Sequence, residues 1–263
     1  AMPTVVSQLG GLKLYGLVFA GYLLTSTTTI PLYGRLADLY GRKPMYLAAA
    51  ALFLVGSGLC GAAGSMEGLI VFRLIQGLGA GGLIPLTITL FGDLYEARQR
   101  AIVQGLFSTV WGVSSVLGPL VGGFFVTYVT WRWAFWVGLP AGLVAAAILA
   151  VTLFEQREGR ARGKLNVPGA LTLTACLAAL LAGLQALEQS AGPGLAAGLL
   201  AGAGLLAALL VLMERRSSQP LLPLDVFEVR AMGVTTATGL VQGALLFGTL
   251  TFIPLYVQGV LHG

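Results

Sequence analysis

Apolar runs of about 20 residues recur along this chain, and each is long enough to cross a lipid bilayer. Eight can be read, over 14–34, 44–64, 68–91, 102–127, 133–154, 167–187, 193–213 and 232–258. Hydrocarbon offers no partner for a backbone N–H or C=O, so a segment that crosses it must satisfy those groups internally, as a helix does. A buried soluble core is the competing explanation, and length argues against it. The stretches from Trp133 to Phe154 and from Gln189 to Met213 each hold no charged residue. Only 10% of the chain is charged, against roughly 25% in an ordinary soluble domain. The expected fold is an all-α integral membrane bundle with about eight transmembrane helices.

The basic residues set a direction. Arg35, Arg42, Lys43, Arg98, Arg100, Arg157, Arg160, Arg162, Lys164, Arg215, Arg216 and Arg230 fall in alternate loops, and only Lys13 and Arg132 fall in the others. The positive-inside rule therefore predicts that the loops near 35–43, 92–101, 155–166 and 214–231 are cytoplasmic. An even number of spans then leaves both ends of this chain on the outer side of a cell (inner or plasma) membrane. Trp131, Trp133 and Trp136 gather at one end of the fifth span, as an interfacial belt would. The net charge of +5 is scattered between apolar runs instead of forming one patch, so nucleic acid is not an expected partner. Cys60, Cys176 and the single His262 cannot complete a metal site, and no cofactor is expected. The opening AMPTVVSQLGG lacks the basic start and apolar core of a cleavable signal; it reads as the outer end of a helix.

Arg73 stands alone in the middle of the third span, within LIVFRLIQGLGAGG. A guanidinium at that depth costs about 2.5–3.5 kcal/mol on insertion scales, so it must face protein or a water-filled path. Gln76 follows three residues later on the same helical face. Tyr22, Thr25, Ser26 and Thr29 form a polar stripe on the first span, which either lines a cavity or bonds to a neighbouring helix. Trp111 and Gln242 are weaker candidates of the same kind. The many glycines, among them Gly77, Gly81 and Gly82, suit close helix packing in lipid. The loop GRLADLYGRKP offers Gly34 and Gly41 for a tight turn. Asp38 and Arg42 stand four apart, a spacing that allows contact on a helix, and Lys43 reads as a solvated positive-inside charge.

That loop resembles the signature between the second and third helices of the major facilitator superfamily, through Gly34, Leu36, Asp38, Gly41, Arg42 and Lys43. Arg73, Gln76, Gly77 and Gly79 are similar to the superfamily's fourth-helix motif. Gly118, Pro119, Gly122 and Gly123 are similar to its fifth-helix antiporter motif, with Ser114 where glycine is common. The stretches PLLPLDVFEVRAMG and FIPLYVQGVLHG resemble the flanks of the ninth helix in the fourteen-span drug/proton antiporters. The resemblance implies a partial chain carrying helices two to nine. It divides into 1–154, most of an amino-terminal six-helix half; 155–213, a cytoplasmic loop and an inserted helix pair; and 214–263, a linker and the first helix of the second half.

Such a chain is expected to serve proton-coupled efflux of lipophilic, often cationic, compounds by alternating access between the halves. Protons, a lipophilic small molecule and the bilayer are its expected partners. On this reading Arg42 bridges Asp38 and Asp93 as a cytoplasmic latch. Arg73 either tunes a carboxylate across the cavity or ties helix carbonyls together. Every Asp and Glu of the chain falls at a loop or a span end, so the proton-carrying acid is not assigned. Two alternatives stay open: the same fold carrying a lipid, metabolite or siderophore, and a non-transporting remnant or regulatory membrane protein. Catalysis is not expected, since no Ser/His/Asp set or phosphate-binding loop is present.

Overall fold

The computed structural model describes residues 2–11, 14–153, 166–188, 193–217, 220–221, 231–243 and 245. Lys13, the basic run at 157–164, most of PLLPLDVFEVRAMG with Arg230, and FIPLYVQGVLHG with His262 lie outside the described residues. The helices are α1 (Met2–Leu9), α2 (Tyr15–Tyr40), α3 (Arg42–Ala62), α4 (Met66–Leu94), α5 (Ala97–Tyr128), α6 (Trp133–Trp136), α7 (Leu139–Thr152), α8 (Val167–Glu188) and α9 (Pro193–Arg216). No strand occurs among the described residues. The chain divides into two compact units, Ala1–Leu221 and Leu222–Gly263. In the second, residues 231–243 are helical; the rest of the expected span 232–258 lies almost wholly outside the described residues.

Among the described residues six helical segments are long and apolar enough to cross a membrane: Arg42–Ala62, Met66–Leu94, Ala97–Tyr128, Trp133–Thr152, Val167–Leu187 and Gly194–Arg216. These coincide with six of the eight expected spans. The expected first span becomes α2, which has the length at 26 residues, while its Thr/Ser run at 25–29 dilutes its hydropathy.

Helix α4 packs between α2 and α3, and glycine is what lets it approach both. A Cβ placed on Gly77 would meet the Tyr22 carbonyl oxygen at 2.6 Å, and one on Gly79 would meet the Phe53 Cα at 2.8 Å. In lipid, where burial of apolar surface no longer drives association, backbone approach of this kind is what packs helices. Two buried clusters mark the ends of the trio. Val5, Val18, Cys60, Ala63, Met66, Leu69 and Trp131 form one; Tyr33, Ala37, Ala49 and Leu86 form the other, towards Arg42. Helices α8 and α9 pair with each other, and α8 leans on α2. Helix α5 touches α4 through Phe107 and α6 through Phe125 but has no buried residue over its 32 positions.

Local signals explain the breaks. Ser65 caps α4 by accepting from the Gly68 N–H at 3.1 Å, and Glu96 with Gln99 forms a capping box that starts α5. Between α2 and α3 the turn is a single residue, Gly41, at φ 103°, a conformation glycine adopts without a Cβ penalty. Gly34, expected to share that turn, lies inside α2 with open space around it. The helix simply runs on six residues further than a loop reading requires. Trp131, expected at the membrane interface, is fully buried against protein, its indole N–H donating to Gln8 Oε1 at 2.9 Å.

Candidate functional site

The Arg73 side chain points into the helix bundle. Helix α4 carries it half-buried towards α2 and α6, where three aromatic rings surround the guanidinium. Its Cζ lies 4.9 Å from the ring centre of Phe135, 5.2 Å from Tyr22 and 6.0 Å from Phe19. Such faces attract a cation through the ring quadrupole. One guanidinium nitrogen donates to Gln76 Oε1 at 3.0 Å, and the Cys60 thiol, fully buried, donates to the same oxygen at 3.8 Å. The Nε–H is buried without a hydrogen-bond partner. Among the described residues no carboxylate pairs with Arg73. A fixed positive charge therefore sits in an aromatic chamber at span depth, an arrangement suited to influencing a charged group brought opposite it.

Of the expected cavity residues, Tyr22 and Gln76 belong to this chamber. The hydroxyls of the rest of the α2 stripe are bonded along their own helix. Thr25 donates to the Gly21 carbonyl at 3.0 Å, Ser26 to Leu23 at 3.1 Å and Thr29 to Thr25 at 2.7 Å, all within their own helix. Gly77 and Gly81 of α4 face Thr25, Ser26 and Thr29 so closely that an added Cβ would collide with them. Thr25 and Thr29 thus line the α2–α4 seam, which Ser26 joins through its backbone carbonyl. Phe135 was not singled out from sequence, because nothing local distinguishes it within the Trp-rich run 131–136. Cys60 and Phe19 read equally well as packing residues.

At the far end of α4, Arg42 forms an ion pair with Asp93 and donates to the Thr89 carbonyl at 3.2 Å. Asp38 makes no ion pair with Arg42 and lies exposed near the end of α2. Asp38 therefore stands outside the Arg42–Asp93 ion pair, since Gly41 breaks the helix that the i, i+4 contact required. Lys43, read as a solvated charge, instead donates from Nζ to the Leu153 carbonyl at 2.7 Å. Leu153 is the C-cap of α7, where exposed carbonyls and the helix dipole favour a cation. An apolar cleft of about 560 Å³ opens nearby between α3, α4 and α7, bordered by Tyr46, Leu90, Phe91, Tyr95 and Leu149. None of the expected cavity residues lines it.

The antiporter-motif residues lie along α5. Ser114, Gly118, Pro119 and Gly123 are exposed and Gly122 partly so, and a Cβ on any of these glycines would meet nothing within 4 Å. Trp111, on the same helix, is 53% exposed. Gln242 belongs to the second unit and is exposed there.

The sequence profile of the Major Facilitator Superfamily matches residues 1–263. "Multidrug transporter protein MdtP" of Bacillus subtilis (strain 168) is 34% identical over 262 residues, covering 99% of this chain and 48% of the relative. "Multidrug resistance protein 3" of the same organism is 32% identical over 262 residues, covering 99% of this chain and 51% of the relative. "MFS-type efflux pump LUC4" of a Fusarium species is 33% identical over 269 residues, again covering 99% and 48%. The chain spans about half the length of these relatives.

Proposed function

The chain belongs to the Major Facilitator Superfamily, and on that premise we propose that it carries part of a proton-coupled exporter of lipophilic, often cationic, compounds. The carrying observation is Arg73, a guanidinium turned into an aromatic chamber within the bundle, with no carboxylate pair among the described residues. A cation held there lowers the energy of an anionic group placed opposite, and so favours release of its proton when substrate arrives. Exchange of one proton for one monovalent cation moves no net charge, so each unit of pH difference supplies about 1.4 kcal/mol, or tenfold accumulation.

In this reading two helical halves rock about the site, and the chain holds most of the first half (1–154), an inserted pair (155–213) and the start of the second half (214–263). The Arg42–Asp93 pair acts as a latch at the basic, cytoplasmic end. The relatives named for multidrug transport and efflux favour lipophilic drugs over a lipid, metabolite or siderophore as cargo. A non-transporting role is the remaining alternative.

The test uses the protein at its full genomic length in liposomes with an imposed pH gradient. Addition of a lipophilic cationic dye is expected to release protons in step with dye movement, and Arg73→Gln is expected to abolish that coupling. Dye binding without proton movement would favour the non-transporting role, and dye movement unaffected by Arg73→Gln would remove the basis of this reading.

A further inference from the structure

We propose that Phe135, fastened by Ser57, is a positioning residue that holds the Arg73 guanidinium in place; its role in transport rests on the reading of Arg73 given above. Phe135 belongs to α6, a helix of four residues. One turn has no stability of its own, because nucleation fixes several dihedrals for a single hydrogen bond. Its place is therefore set by tethers, and most of them end on α3. The Ser57 hydroxyl donates to the Phe135 carbonyl at 2.7 Å. The Trp136 indole N–H donates to the Gly58 carbonyl at 3.1 Å, and the Arg132 guanidinium to the Ala63 carbonyl at 3.1 Å.

Ser57 is the informative member. A serine inside a helix ordinarily bonds back to its own preceding turn, as Thr25 and Thr29 do in α2. Ser57 is buried and reaches instead across to another element. It satisfies a carbonyl that a one-turn helix leaves open. The glycines beside it serve the same junction. A Cβ on Gly61 would lie 2.6 Å from Cδ1 of the Trp136 ring, and one on Gly56 would lie 2.5 Å from the Gln76 Cα. Residues 56–61 of α3 thus seat α4 at Gln76 on one side and the aromatic turn on the other.

The consequence falls on Arg73. Among the described residues its Nε–H is unpartnered and Gln76 is its one hydrogen-bond acceptor, so ring faces confine the rest of the cation. Phe135 is the nearest of the three, and it comes from the connection between α5 and α7, whereas Phe19 and Tyr22 ride on α2. Movement of that connection relative to α2 would open or close one wall of the chamber.

The experiment labels the full-length protein with phenylglyoxal, which reacts with guanidinium groups, and follows Arg73 by peptide mass spectrometry with exposed Arg98 as internal reference. Phe135→Leu and Ser57→Ala are each expected to raise the Arg73 labelling rate about two- to thirtyfold, the range set by losing one cation–π contact. Phe135→Tyr, which keeps the ring face, is expected to restore protection. Equal labelling in Phe135→Leu and the unmodified protein, or equal labelling in Phe135→Leu and Phe135→Tyr, would overturn the proposal. Should Phe135→Leu fail to fold, Ser57→Ala, which removes one oxygen atom, decides alone: unchanged labelling there overturns the assignment. A parallel dye-efflux measurement is expected to lose its dependence on the pH gradient in Phe135→Leu and regain it in Phe135→Tyr. If the unmodified protein moves no dye, the transport reading fails, while the labelling still decides the placement of Arg73.

Discussion

Replacing Gly79 and Gly112 by alanine should move stability in opposite directions, although both are glycines inside helices of this bundle. At Gly79 the added Cβ would sit 2.5 Å from the Ala49 carbonyl oxygen and 2.8 Å from the Phe53 Cα, both backbone atoms of α3. Ordinary carbon contacts lie near 3.5–4.0 Å, so α3 and α4 must part by roughly 1 Å. No side chain can rotate away to relieve the clash. Overpacking of this kind costs about 1–3 kcal/mol. At Gly112 the added Cβ meets nothing within 4 Å. There the gain is the helix preference of alanine over glycine, about 0.5–1 kcal/mol. With about 2–4 °C per kcal/mol for chains near this size, Gly79→Ala is expected to lower the apparent Tm by about 2–12 °C and Gly112→Ala to raise it slightly. The assay is thermal loss of the monodisperse fraction in mild detergent, read by size-exclusion chromatography. Equal shifts for the two variants would refute the glycine-seam account of α4 packing.

Removing the Arg42–Asp93 pair should show weak coupling, because the two side chains are 26% and 46% exposed. A double-mutant cycle with Arg42→Gln and Asp93→Asn is expected to give no more than about 1 kcal/mol; a coupling well above that would place the pair in a shielded environment. Trp131→Phe keeps a six-membered ring but deletes the pyrrole part of the indole with its hydrogen bond to Gln8, and is expected to cost about 1–3 kcal/mol, whereas Trp131→Ala should cost about 3–5 kcal/mol. Both are measured by the same thermal assay, and an equally mild effect of the two would deny Trp131 its place in the core.

Much of the fold is legible from local pattern. The basic loop between α2 and α3 lies where its glycine and charges suggest, and Gly41 makes the turn. Gly34 does not, because a glycine can as easily sit in a helix as end one, and only packing tells which. The Tyr22 to Thr29 stripe left two physical meanings open, cavity or seam. The facing glycines of α4 settle Thr25 and Thr29 into the seam. Asp38 looked bound to Arg42 by spacing, yet spacing holds only along an unbroken helix, and the turn at Gly41 breaks it. Lys43 looked solvated because its partner, the carbonyl end of α7, lies far along the chain and carries no side-chain signature.

The sequence by itself determined that this chain forms membrane-length helices, because apolar length and internal backbone bonding are properties of each segment alone. It also determined the superfamily, through motifs confined to a few turns, and the depth of Arg73 within its span. Only the tertiary structure decided which groups surround that cation. Phe19, Tyr22 and Phe135 meet it because of how α2, α4 and the turn before α7 cross, and helix crossing and rotation depend on the packing of distant segments. No periodicity within one segment encodes the register of another, so the chamber could be read only once the helices stood side by side.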